Sequence, residues 1–107
     1  MDMIYGVDTT KKVTLVMVRD AVVLCFYDAH CVQSGLVDGD IEMTKNYCQQ
    51  IVKKAFTETR GDFDKPTKTS LLASLSWLAD FSKSFRDQSV IQKHMGEIQK
   101  LMVLVED

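Results

Sequence analysis

The sequence predicts an all-α protein, a four-helix up-down bundle, and three observations carry that expectation. One proline and five glycines in 107 residues are too few breakers for many short strands. Residues 14–33 hold fourteen apolar side chains in twenty. Leu15, Val18, Val22, Cys25, Ala29 and Val32 among them keep a three-four spacing, which lines them up on one helical face. Three later stretches repeat that spacing, and short loops make their helices antiparallel neighbours.

Residues 1–13 read as an N-terminal arm, and residues 14–107 as a single helical domain. In the arm, Met3, Ile4 and Tyr5 can dock on the domain, pair as a short strand with a second chain, or fray. Thr14 is placed to cap helix 1, with Val13 and Val18 at the positions of a hydrophobic staple. The run Val13–Val18 is strand-like in composition, but the helical spacing continues to Val32. Ser34 and Gly35 then supply a stop. Val16, Val23 and Phe26 lie on a second flank of this helix, and Met17 and Leu24 on a third. A helix apolar on most sides needs cover on most sides, so helix 1 is expected at the centre of the bundle or at a dimer seam.

Leu36–Gly39 makes the first turn, and Asp38 or Asp40 the next cap. Helix 2 is expected over 41–60, with the stripe Ile41, Thr44, Cys48, Ile51, Val52, Ala55 and Phe56. Gly61 is placed to end it in the left-handed conformation. Asp62–Pro66 forms a loop, and Pro66 stops any helix running through it. Thr67 or Thr69 caps helix 3, expected to reach Phe85 on Leu71, Leu75, Leu78 and Phe85. Trp77, Phe81 and Phe85 could form a binding stripe, but aromatics at this spacing usually form core. Arg86-Asp87-Gln88 is a tight connection. Ser89 and Gln92 match a capping box for helix 4, which runs to Val105 through Ile91, Met95, Ile98 and Met102. Gly96 interrupts it, which points to a close helix contact.

Composition narrows the function classes. Hydrophobic residues at 46% and charged residues at 26% are ordinary for a soluble domain. A net charge of −2 gives no basic face for nucleic acid or anionic lipid. The apolar run from Val13 to Tyr27 is too short to span a bilayer and is broken by Arg19-Asp20. Met1–Gly6 lacks the features of a signal peptide, and three cysteines fit no disulfide framework. The expected setting is the reduced cytoplasm.

Helix 1 and the end of helix 4 carry more apolar surface than one such bundle readily hides, which points to a homodimer. The function read from this is a small protein-association module, beginning with its own copy and open to another protein partner. The alternative is a metal- or small-ligand-binding protein, with enzymatic use of the site as a variant.

The densest chemical cluster is Tyr27-Asp28-Ala29-His30-Cys31. An up-down bundle brings Asp40, Glu42, Arg86, Asp87 and His94 to the same end. His30, Cys31, Glu42 and His94 are acceptable ligands for zinc or a similar divalent metal. Against this, His30 and Cys31 project about 100° apart, and no short ligand-pair motif is present. Cys31 with His30 or His94 is a weaker candidate nucleophile and base. Cys25 and Cys48 fall at similar heights on helices 1 and 2, as a redox pair or, more simply, as two small buried hydrophobes. Arg19 and Asp20 also project about 100° apart, so they are not expected to be simply each other's partner. They read either as a solvent strip of helix 1 or as charges reaching across a dimer seam.

Overall fold

The computed structural model describes residues 3–5, 7–34, 41–85 and 88–105, with backbone alone for 3, 4, 32–34 and 41–43. The all-α expectation holds. The described helices are α1 (Leu15–Ser34), α2 (Ile41–Glu58), α3 (Lys68–Phe81) and α4 (Gln88–Leu104). A small hairpin, β1 (Met3–Ile4) and β2 (Val7–Asp8), precedes them. α1 runs closely along both α2 and α4 and also touches α3, while α3 and α4 meet over only a short length. The predicted turn at 36–39, the caps at Asp38 or Asp40, the stop at Gly35 and the Arg86-Asp87 connection lie outside the described residues.

Helix ends follow from local chemistry. Thr14 Oγ1 accepts from the Met17 amide at 3.2 Å, and Val13 and Val18 are both buried. Thr67, not Thr69, caps α3 in a reciprocal capping box with Ser70, which satisfies two otherwise free amides. α3 stops at Phe81, short of the expected Phe85, and tightens into a 3₁₀ turn over Ser82–Ser84. The Gln88 side-chain amide donates to the carbonyls of Ser82 at 2.7 Å and Phe85 at 2.9 Å. α4 already starts at Gln88, so Ser89 lies inside its first turn rather than capping it.

Two glycine expectations are corrected. After α2, Arg60 and not Gly61 takes the left-handed conformation, at φ 64°. The Arg60 amide bonds the Thr57 carbonyl at 3.1 Å and the Gly61 amide bonds the Phe56 carbonyl at 2.7 Å, the two bonds of a Schellman motif. Gly61 is needed for another reason: a Cβ there would lie 2.9 Å from Ser70 Cβ. At Gly96 an added Cβ meets nothing within 4 Å, so it permits no close helix contact. Gly96→Ala is therefore expected to stabilise the fold by about 0.5–1 kcal/mol. Arg60→Gly is expected to add about 1 kcal/mol by relieving the left-handed arginine. Both are read as upward shifts of the urea midpoint. A loss at either position would contradict the corresponding geometry.

The Arg19–Asp20 reading is corrected as well. The arginine folds back on its neighbour, with Nη2 2.8 Å from Asp20 Oδ1. Its Nη1 donates to the Phe63 carbonyl at 2.9 Å, and the guanidinium stands 4.5 Å from the Phe63 ring centroid. A long side chain can bridge a projection difference that separates two Cα–Cβ bonds. Arg19 thus ties α1 to the α2–α3 loop within one chain.

Buried residues on α1 are Val18, Ala21, Val22, Cys25, Phe26 and Ala29. Phe26 fills the gap toward α3, its ring centroid 5.8 Å from Phe81 and 6.1 Å from Phe85. The opposite side of α1 is uncovered over a sector of about 120°, so enclosure on nearly every side was too strong an expectation. Val16, Met17 and Leu24 stand on that side at 44%, 41% and 43% exposure.

Candidate functional site

The hairpin places a tyrosine where the helical pattern gave no hint of one. Ile4 pairs with Val7 and Met3 with Asp8, which leaves Tyr5 in the turn with φ 51°. Such a conformation is uncommon for a non-glycine residue. Val7 is buried, and β2 packs on α1. Asp8 Oδ1 accepts from the Thr10 amide at 2.9 Å and from its hydroxyl at 2.6 Å, bonds that hold its carboxyl below the usual range.

Tyr5 reaches α4. Its hydroxyl hydrogen-bonds His94 Nδ1, and the two rings meet edge to face at 5.1 Å. His94 Nε2 lies 2.8 Å from Asp28 Oδ2 on α1. The Cys25 thiol is buried near the Tyr5 hydroxyl. One proton arrangement satisfies both bonds: Nε2–H donates to the carboxylate, and Nδ1 accepts from the phenol. A polar chain thus runs from Tyr5 through His94 to the exposed Asp28.

Burial, with smaller contributions from Asp28 and Glu97, pushes the Cys25 thiol up to about 12 despite the Tyr5 hydroxyl nearby. Burial pushes Cys48 up to about 11. Burial and the neighbouring acidic groups raise the Tyr5 phenol too. Burial thus favours the thiol form of both cysteines, the opposite of the lowered pKa that a reactive nucleophile or redox cysteine has. Both are free and buried, as small core hydrophobes are. An unfolded thiol titrates at about 8.5, so folding favours the protonated form of these two. That contribution is fully present below about pH 8.5 and is lost as pH rises toward the folded values. Stability is expected to fall between about pH 9 and pH 11, with a shallower slope in Cys25→Ala and Cys48→Ala chains. Urea midpoints across that range provide the check, and identical slopes in all three chains would contradict it.

Of the four predicted metal ligands, His30, Cys31 and His94 have described side chains. His94 has both ring nitrogens engaged, by Tyr5 and Asp28, so ligating a metal would cost it one of them. The His30 ring stands edge-on to Tyr47 at 5.2 Å. Cys31 is half-buried and not in a disulfide. The Glu42 side chain lies outside the described residues. Among the described residues no three histidine, cysteine or acidic side chains gather closely enough to hold a metal ion. Sequence reading missed Tyr5 and Asp28 as a pair. The available signal was Tyr5-Gly6 between apolar residues, which is compatible with a hairpin turn.

Two surface features complete the site description. α1 and α2 bound a shallow groove of about 420 Å³, lined by Asp20, Val23, Leu24 and Tyr27 against Lys45, Asn46 and Gln49. Lys45 Nζ stands 5.8 Å from the Tyr27 ring centroid. A small apolar crevice lies between α1, α3 and α4, lined by Val22, Phe26, Leu78, Ile91 and Ile98 among others. No protein-family model, curated protein or solved structure matches this chain. No helix among the described residues is long and apolar enough to cross a membrane.

Proposed function

We propose that this protein is a small helical association module that forms a homodimer through the outer side of α1. The observation that supports this is the uncovered strip carrying Val16, Met17 and Leu24. Met17, Asp20, Leu24, Asp28 and Cys31 follow one another at three-four spacing and form one face. Val105 bridges Val13 just before α1, which puts Val103 and Leu104, at 83% and 41% exposure, at the same end as Val16 and Met17. Exposed apolar side chains gathered this way mark association surfaces, whereas singly scattered ones do not. Leu72 and Phe81 on α3 are exposed too, but more than two turns apart.

A two-fold pairing uses the same patch on both copies, and the groove beside Leu24 offers a seat for the partner's apolar side chains. The wild-type chain is expected to scatter light as a dimer at micromolar concentration. Leu24→Glu and Met17→Glu are expected to shift it to monomer with little loss of chain stability, because both side chains are already exposed within one chain. A strict wild-type monomer would overturn the proposal, as would dimers that survive both charges.

A further inference from the structure

We propose that the second copy seats with the two-fold axis running along the α1–α2 groove, so that Asp20 of each chain pairs with Lys45 of the partner subunit. The pairing rests on the homodimer proposed above and gives it an orientation. The groove carries an acid on its α1 wall, Asp20, and a base on its α2 wall, Lys45, with apolar surface from Val23 and Leu24. The Asp20 side chain is 61% exposed. Both Arg19 nitrogens that reach it bond the same oxygen, Oδ1, which leaves Oδ2 able to accept from a second cation. Lys45 is exposed, and its Nζ faces the Tyr27 ring. Among the described residues no carboxylate forms an ion pair with it.

Charge decides between the two ways a dyad can lie in this face. An axis across the groove sets α1 antiparallel on α1. Centred on Leu24, it brings Asp20 opposite the partner's Asp28, carboxylate against carboxylate, and like charges so placed oppose association. An axis along the groove instead lays each α1 wall over the partner's α2 wall at the same height. Asp20 and Lys45 line one groove and so stand at similar heights. The rotation then brings each to the other, twice per dimer. Leu24 of each copy enters the groove of the other, where its burial supplies the hydrophobic gain. The paired charges fix the register and reject the alternative axis.

The test is sedimentation equilibrium on the full chain. Lys45→Glu and Asp20→Lys each turn two attractions into two repulsions, so either alone should weaken the dimer at least about tenfold. Mixing the two variants should restore association, because in the mixed dimer every acid again meets a base. Native mass spectrometry should then find the mixed dimer in large excess over either like pair. Asp20→Asn and Lys45→Gln remove charge without reversing it, and they serve even if the reversal at residue 20 disturbs Arg19. Their losses should not add: the double variant should dimerise about as strongly as the weaker single one. A wild-type dimer that Lys45→Glu leaves unchanged would overturn this axis while leaving the dimer standing. So would folded variants that fail to recombine, or additive losses in the neutral pair. A wild-type monomer would overturn the dimer itself and this pairing with it.

Discussion

Replacing Phe56 by alanine is expected to cost about 3–5 kcal/mol, the largest loss for any single truncation considered for this chain. Phe56 is among the largest fully buried side chains. Its ring stands edge to face on Phe63 at 5.7 Å, and its carbonyl accepts the Gly61 amide that closes α2. The same ring would lie 3.3 Å from a Cβ at residue 61. Removing it opens a cavity where α2, the loop and α3 converge, and withdraws the surface against which Phe63 and Arg19 are arranged. Close-packed backbone on both sides limits collapse into the void. Urea unfolding monitored by Trp77 would read the loss, and a cost below about 2 kcal/mol would mean that the corner repacks freely.

The second large effect is expected at His94. His94→Ala removes the bond to Tyr5 and the charge-assisted bond to Asp28, for a combined cost of about 2–3 kcal/mol. For a chain of this size that corresponds to a melting temperature lower by roughly 10 °C. The loss should be uneven. Amides of the hairpin, docked on α4 through Tyr5, should exchange much faster than those of α2. Tyr5→Phe keeps the ring contact and removes only the hydroxyl, so it should cost about 1 kcal/mol. If His94→Ala leaves hairpin exchange unchanged, docking rests on Val7 alone and the Tyr5–His94–Asp28 chain has no anchoring role.

Spacing alone sufficed for the four helices, because an apolar face at 3.6-residue periodicity has one economical solution in a chain with few breakers. Thr14 and Thr67 were legible as caps since capping is a contact between near neighbours. Gly61 and Gly96 were misread because their roles depend on what approaches them from elsewhere: Ser70 in one case and open solvent in the other. Arg19 was misread because its reach exceeds the angle between adjacent side chains.

The sequence by itself determined the class of fold, the register of the apolar stripes on α1, α2 and α3, and the surplus of grease on α1. Those properties are local, repeated along the chain and encoded in residue type. Only the tertiary structure decided that Tyr5 meets His94 across 89 positions, that Asp28 takes the other ring nitrogen, and that the Ser82 hydroxyl is buried with no partner among the described residues. Such meetings depend on side-chain reach and on how the helices pack, and neither leaves a periodic trace in the sequence.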